Sequence, residues 1–341
     1  MSPFPGFMVH KPAAATAPAA PDPEAHAEPS QSAITAASNA FVAAHLDDAV
    51  SVGSCLAGLV DKPDEFLAAI EGGFSRLCDP VVVDGQHRIA PGLGDSMGVR
   101  LPLMDAAYKA FKRDTKGISA GPLLDVVERQ IDHRYMEIRW FGMLDMERLV
   151  AADADRTWNL MRRAASQASD WITVDTLAHP YATGILREPR RWSDLQAFTH
   201  APSRWERRLV GSTIATLPHV KHAGSRDKGV ASRGLMLIGL LMGDPEPDVQ
   251  KALSWALRSL AAIDLAAVIT FLDVETATAR KTGDGERAWV IRDTLAKLPD
   301  ENAAAFRAQL DGIRRRPAGQ GAARSSNSDA APRSVHHTRE G

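Results

Sequence analysis

The sequence contains very few cysteines. Cys55 and Cys78 are the only two in 341 residues, and neither belongs to a CxxC pair or a Cys/His cluster. Zinc sites are normally built from such clusters, so no metal site is predicted. So few thiols also fit a protein that works in a reducing compartment.

Long apolar runs and a targeting signal are missing too. We find no apolar stretch long enough to cross a bilayer, and the N-terminus lacks a basic start followed by an apolar segment. We therefore expect a cytoplasmic protein with no membrane partner. The net charge is -2 at pH 7, so no overall basic excess indicates nucleic-acid binding, and any such surface must be local.

Familiar motifs for cofactors and nucleophiles are also absent. The chain has no Gly-rich phosphate loop, no HExxH motif, and no Ser or Cys visibly paired with a His base. An enzyme made from these residues would work by positioning and charge, through one carboxylate and without a cofactor.

Most of what is present is typical of helix. Residues 1–32, rich in Ala and Pro, and residues 316–341 are predicted to be disordered, whereas residues 33–315 are predicted to form the folded domain. The predicted helices lie near 34–60, 64–77, 101–114, 119–130, 133–151, 155–168, 171–186, 189–200, 203–217, 226–242, 246–261, 263–273, 284–297 and 300–315.

One segment interrupts this helical pattern. Residues 80–98, PVVVDGQHRIAPGLGDSMG, are predicted to be an irregular insert. The run Val81-Val82-Val83 within it is compatible with a short strand, although one strand makes no sheet.

From about residue 119 onward the predicted helices come in pairs. The pairs recur every 35–45 residues or so, which is roughly the period of stacked HEAT repeats, although no strict sequence repeat is visible. Such repeats curve into a superhelix with a concave face available for binding. The predicted fold is therefore all-α, a HEAT-like α-solenoid whose concave face is expected to be basic.

Trp171 and Asp175 are the first candidate site residues. Residues four apart share one face of a helix, so the indole and the carboxylate are expected to stand side by side at the edge of the apolar stripe. An aromatic ring beside an anion can stabilise a cation. In the alternative interpretation the Trp is a core residue and the Asp a solvated neighbour.

Two further helices carry candidate residues. Arg204 and Arg208 are four apart and are predicted to project away from the buried side of their helix. Trp255 stands off the apolar stripe of its own helix, near Lys251 and Arg258, and such an arrangement suits contact with a sugar-phosphate chain. For any one of these arginines, the alternative is a solvated helix face.

The segment 187–233 is locally basic. It contains ten Lys or Arg residues and four Asp or Glu residues, a net charge of +6 against -2 for the whole chain. Local positive potential of this kind serves polyanion binding, although a soluble helical protein can also acquire such a patch by chance.

These residues together resemble those of the AlkD-like DNA alkylation repair enzymes, the HEAT-like-repeat alkylpurine DNA glycosylases. The resemblance covers roughly Met97 to Leu298. It begins at GVRLPLMDAAYKAFKR, includes Trp171-x-x-x-Asp175 and Trp205-x-x-Arg208, and ends with VQKALSWALRSLAAID. Two departures stand out: Asp170 replaces an aromatic residue found before the Trp in some relatives, and the first 95 or so residues diverge.

The resemblance implies a role for each matching residue. Asp175 matches the catalytic carboxylate, Trp171 and Trp255 match aromatic walls against the sugar of the damaged nucleotide, and Arg208 matches an arginine that holds a backbone phosphate. Further DNA-binding residues are predicted by charge and position. They are Arg190, Arg191, Arg204, Arg207, Lys221, Lys251 and Arg258.

The implied activity is that of a monofunctional DNA glycosylase in base excision repair. The expected partner is double-stranded DNA with a cationic N3- or N7-alkylated purine, such as 3-methyladenine or 7-methylguanine, and the expected protein is a monomer without a cofactor. Two alternatives remain open from the sequence: a non-catalytic helical-repeat protein that binds branched or damaged DNA, and a protein-interaction scaffold.

Overall fold

The computed structural model describes residues 31–315, and within them the chain forms 15 α-helices, five short 3₁₀ helices and no extended strand. Of the tails predicted at 1–32 and 316–341, residues 1–30 and 316–341 lie outside the described residues, whereas Gln31 and Ser32 begin a helix instead of belonging to a tail. The α-helices are α1 (Gln31–Ala57), α2 (Pro63–Arg76), α3 (Pro80–Ile89), α4 (Leu101–Asp114), α5 (Ala120–Gln130), α6 (Met136–Ala152), α7 (Ala154–Gln167), α8 (Trp171–Arg187), α9 (Trp192–Ala197), α10 (Arg204–Thr216), α11 (Lys228–Leu241), α12 (Pro247–Ala261), α13 (Leu265–Thr282), α14 (Gly285–Thr294) and α15 (Asp300–Gln309).

The helices pack as a repeat of two layers. One layer is a row in which α6, α8, α10, α12 and α14 each pack against the next, while the intervening helices form the second layer. Each unit buries its apolar side only by stacking on its neighbours, as in helical-repeat proteins. The all-α helical-repeat fold expected from the sequence is confirmed.

α10 and α12 approach each other closely at a glycine. A Cβ placed on Gly211 would lie 2.8 Å from the Cβ of Ala252 on α12, which is closer than real Cβ atoms come. The glycine therefore lets the two helix backbones approach, and this contact fixes the spacing between two helices that carry candidate site residues.

The segment 80–98 differs from the prediction. Residues 80–89 form α3 rather than irregular chain or a strand. Asp79 caps this helix, since its side chain accepts a hydrogen bond from Val81 N at 3.0 Å, and Pro80 occupies the first turn. A capping acid followed by Pro is a helix start signal, and the prediction gave it too little weight against the β-branched run that follows.

Other boundaries were also wrong, and α15 ends at Gln309 instead of 315. The stretch predicted as one helix at 189–200 is a short α9 flanked by two 3₁₀ helices. α13 runs to Thr282 instead of 273 and stops at Gly283, whose φ of 69° is left-handed. Its second half has a largely polar sequence, so the hydrophobic pattern faded before the helix ended.

α1, with 27 residues, is the longest of the described helices. Residues Ser32–Ala57 reach a mean hydropathy of 1.2 over 18 residues with 22% of that window buried, so by length and composition this helix could cross a membrane. No such run was expected from the sequence. A core helix of a soluble protein can have the same length and composition, and α1 packs against α4.

Candidate functional site

Asp175 lies on the second turn of α8, on the side that faces α10. α8 begins at Trp171 because the Asp170 carboxylate caps it, accepting hydrogen bonds from Thr173 N at 2.8 Å and from the Thr173 hydroxyl at 2.7 Å. Burial is the main reason that the pKa of Asp170 is raised. This residue, noted as a departure from the family pattern, therefore sets where Trp171 and Asp175 stand on the helix.

The Asp175 carboxylate accepts three hydrogen bonds from α10. Arg208 donates two of them, from Nε to Oδ1 at 3.1 Å and from Nη2 to Oδ2 at 2.8 Å. The Ser212 hydroxyl donates the third, to Oδ1 at 2.6 Å. A two-pronged guanidinium contact is the geometrically most specific form of ion pair, so the carboxylate is fixed in one orientation.

One acceptor position on Asp175 has no hydrogen-bond partner among residues 31–315. A carboxylate has about four lone-pair directions, and these three bonds use two on Oδ1 and one on Oδ2. The side chain is 14% exposed. The side chain therefore keeps some contact with solvent and one acceptor direction on Oδ2 without a partner in this part of the chain.

Arg208 was predicted to project away from the buried side of α10, and this prediction was wrong. Its side chain is 6% exposed, and its remaining terminal nitrogen, Nη1, donates to the Asp248 carbonyl at 2.6 Å. The prediction used the apolar stripe of α10 alone, and it missed that α8 and α12 supply acceptors on both sides. In this structure Arg208 holds Asp175, while a contact with DNA phosphate stays a prediction.

Trp171 completes the cluster on the α8 side. Its ring centroid lies 6.0 Å from Cζ of Arg208, within the range of a cation–π contact. Its indole N–H donates to the Ile89 carbonyl of α3 at 3.1 Å. Trp171 is half-buried and lies one helical turn before Asp175 on α8.

Trp255 lies on α12, on the far side of α10 from Trp171. It is half-buried against the core, and Lys251, one turn earlier, is exposed. Arg258, one turn later, is paired with Asp293 of α14, its Nη1 donating to Oδ2 at 2.6 Å. The row α8–α10–α12 thus presents Trp171, the Asp175–Arg208 pair and Trp255 on three successive helices.

The other predicted DNA-binding residues are placed differently. Arg207 donates to Asp244 at 2.6 Å, and Arg191 is 10% exposed and donates to Asp155 at 2.5 Å. Arg190 shares Asp155 but is 66% exposed, and Arg204 is 46% exposed with Glu246 at 3.4 Å. Lys221 is exposed. Arg191 and Arg207 thus serve packing between helices, while Arg190, Arg204 and Lys221 reach solvent.

Carboxylates from elsewhere offset much of the positive charge of 187–233. Six of its ten cations form ion pairs with acids outside the segment. The pairs are Arg190 and Arg191 with Asp155, Arg204 with Glu246 and Asp248, Arg207 with Asp244, Arg208 with Asp175, and Lys228 with Asp264. A charge count along the chain cannot register partners that only folding supplies.

Two residues near Asp175 were not identified from the sequence. Ser212 is fully buried and lies four residues after Arg208, so the i,i+4 rule that linked Trp171 to Asp175 would have found it. His179 lies one turn beyond Asp175, and its buried Nε2 has no hydrogen-bond partner among the described residues. Burial lowers the pKa of His179, opposed by the charge of Glu147.

Among the described residues, no group of three or more His, Cys, Asp or Glu side chains is placed to hold a metal ion. In a comparison with protein families, residues 76–298 match the DNA alkylation repair enzymes. The match covers more than half of the chain and contains Trp171, Asp175, Arg208 and Trp255. No curated protein sequence matches the chain.

Proposed function

The chain belongs to the DNA alkylation repair enzyme family, and we propose that it is a monofunctional DNA glycosylase within that family. Its substrate would be double-stranded DNA containing a cationic N3- or N7-alkylated purine, such as 3-methyladenine or 7-methylguanine. The reaction would be hydrolysis of the N-glycosidic bond, the first step of base excision repair.

The chemistry of this substrate matches what the site offers. An alkylated purine already carries a positive charge, so it leaves as a neutral base when it takes the bonding electron pair, and no general acid is required. The sugar becomes oxocarbenium-like as that bond breaks, as in other glycoside hydrolyses. A fixed carboxylate beside the sugar stabilises that developing charge and orients the attacking water.

The observation that carries this proposal is the position of the Asp175 carboxylate. Arg208 and Ser212 hold it in one orientation, one acceptor direction stays open, and the half-buried ring of Trp171 lies one turn away. A carboxylate fixed before the substrate arrives needs no reorganisation during the reaction. Water would add to the sugar carbon and pass its proton to Asp175 or to solvent.

The two tryptophans and the exposed cations would hold the DNA. Trp171 and Trp255 would pack on deoxyribose, and each cation–π contact with the developing charge contributes about 0.5–2 kcal/mol. Lys251, Lys221 and Arg204 are exposed and are the residues we propose for phosphate contact. The hydrogen bonds and ion pairs of Asp175 in the described part of the chain involve no lysine, which favours simple hydrolysis over a Schiff-base mechanism.

One observation favours a second candidate function. The charge of Asp175 is largely balanced by Arg208, which weakens its ability to stabilise another cation. A protein that binds damaged or branched DNA without cleaving the glycosidic bond would need the tryptophans and cations but not a free carboxylate. The open acceptor direction on Oδ2 is why we favour the enzyme.

The test is release of 7-methylguanine and 3-methyladenine from methylated duplex DNA. We expect release by the wild type and a loss of about 100-fold or more in Asp175→Asn, with DNA still bound. Asp293→Asn is the matched control, because Asp293 likewise accepts from a serine and an arginine, Ser254 and Arg258. Full release by Asp175→Asn would contradict the mechanism, and DNA binding without release by the wild type would favour the second candidate.

A further inference from the structure

Residues 79–99 form a closed loop, which contains α3 and the turn after it. Its two ends meet: Cys78 and Val99 form an isolated antiparallel bridge, and Asp79 N donates to the Gly98 carbonyl at 3.0 Å. Arg100 closes the base with an ion pair to Asp79 at 2.6 Å. Both ends of the loop are therefore held together.

The far side of the loop contacts α6 and the residues just before α8. The Ser169 hydroxyl, two residues before Trp171, donates to the Gly92 carbonyl at 2.6 Å, and Arg139 Nη2 donates to the Leu93 carbonyl at 2.7 Å. Gly92 has a φ of 97°, and a Cβ there would lie 2.4 Å from the Ser169 carbonyl oxygen. Only glycine fits this contact. The turn at Gly92 therefore packs directly against Ser169, just before α8.

Between these anchors, the last turn of α3 meets Trp171. The last carbonyls of a helix have no partner within it, and the Ile89 carbonyl instead accepts the Trp171 indole N–H at 3.1 Å. Cζ of Arg208 lies 6.0 Å from the ring centroid of Trp171. The indole is thus held at its polar edge by α3 while a guanidinium lies near its ring.

We propose that residues 79–99 are a positioning element for Trp171, which they hold through the Ile89 carbonyl and the turn at Gly92. A tryptophan that packs on a sugar must present its ring at one angle, and an indole fixed at one edge cannot rotate away. Small displacements of positioning groups cost large factors in rate. This inference rests on the proposed glycosylase function for its kinetic part, but the hydrogen bond itself can be tested without activity.

Gly92→Ala is the variant that disturbs this element where it contacts Ser169. The added Cβ and the positive φ both oppose the native turn, so we expect the Ile89 carbonyl to move away from the indole. The matched control is Gly85→Ala within α3, where an added Cβ meets nothing within 4 Å. Ser169→Ala removes the hydrogen bond to Gly92 without steric strain and serves if Gly92→Ala does not fold.

Nuclear magnetic resonance of the indole N–H groups tests the contact directly. The chain has seven tryptophans, and the signal that disappears in Trp171→Phe identifies Trp171. We expect this proton to shift upfield and exchange faster in Gly92→Ala, and to stay unchanged in Gly85→Ala. An unchanged Trp171 signal in both Gly92→Ala and Ser169→Ala would overturn the inference, whether or not the protein releases bases.

Kinetics then distinguish positioning from general stability. In single-turnover reactions we expect Gly92→Ala to lower the rate of base release about tenfold or more, with DNA affinity changed less than about twofold. In a Trp171→Phe background, which lacks the indole donor, the same substitution should have little further effect. An equal loss of rate in both backgrounds would mean that the loop supports the fold and does not act through Trp171.

Discussion

Asp175 and Arg208 are joined by two parallel hydrogen bonds, although 33 residues separate them. Both side chains are largely shielded from solvent, at 14% and 6% exposure. Removing one partner of such a pair leaves an uncompensated charge, which typically costs about 3–5 kcal/mol when it is buried. Every experiment on this pair must therefore measure stability beside activity.

Ser212→Ala tests how the carboxylate is oriented without removing a charge. The substitution deletes the 2.6 Å hydrogen bond to Asp175 Oδ1; bonds to charged groups contribute about 1.5–3 kcal/mol. We expect base release to slow about tenfold while DNA affinity stays within about twofold, measured by single-turnover kinetics and equilibrium binding. Ser254→Ala, which removes the equivalent bond to Asp293, should leave release unchanged, and equal losses in both variants would contradict a local role for Ser212.

Lys251 and Arg191 were both predicted to bind DNA, and the structure gives them different surroundings. Lys251 is exposed, one helical turn before Trp255. Arg191 is instead paired with Asp155, and its Cζ lies 4.8 Å from the ring centroid of Trp158. We expect Lys251→Gln to weaken DNA binding and to lower the slope of log affinity against log salt by about 1. Arg191→Gln should lower the melting temperature and leave that slope unchanged; a slope change in Arg191→Gln alone would reverse the assignment.

Glu137 is a fully buried carboxylate on α6 that fixes the chain just before α4. It accepts from Gly98 N at 2.8 Å, from Met97 N at 3.0 Å and from the Ser96 hydroxyl at 2.8 Å. Glu137→Gln keeps the shape but replaces an acceptor oxygen with a donor. We expect the free energy of unfolding, from urea denaturation, to fall by about 1–3 kcal/mol. Substitution of the exposed Glu301 of α15, Glu301→Gln, should change it by less than about 0.5 kcal/mol.

His179 makes stability depend on pH. Burial lowers its pKa in the folded protein, as does the nearby His219, while Glu147 and Asp175 act in the opposite direction. The unfolded chain, with a histidine pKa of about 6.5, then binds more protons, so stability rises with pH. This contribution is fully present above about pH 6.5 and is lost as the pH falls toward the lowered folded-state pKa.

His179→Asn should therefore flatten the pH dependence of the unfolding midpoint below about pH 6.5. The measurement is a series of urea titrations at constant ionic strength, with the exposed His200→Asn as the control. A wild-type curve whose slope below pH 6.5 persists in His179→Asn would assign the effect to other groups.

Much of the fold was predictable, because helix signals are local. The spacing of apolar residues predicted most of the helices, and the i,i+4 relation placed Trp171 beside Asp175. α3 was missed although its signal is local as well: Asp79 and Pro80 mark a helix start, but three consecutive valines suggested a strand. The error was one of weighting between two local signals.

The candidate site was predictable only in part. The resemblance to the family pointed to Asp175, Trp171, Arg208 and Trp255, which lie on three successive helices of one row. The burial of Arg208 was not predictable from α10, because the acceptors that surround it belong to α8 and to the Asp248 carbonyl. The contact between Ile89 and Trp171 spans 82 residues and left no pattern in the sequence.

The sequence by itself determined most of the helices and the family, since each depends on residues close together or on a motif with fixed spacing. Only the tertiary structure decided which charges are neutralised and which remain exposed. Six cations of 187–233 find carboxylates outside that segment, and helix packing, with contacts such as Gly211 against Ala252, brings these partners together. Electrostatics at this site is therefore a property of the packed helices and not of any one segment.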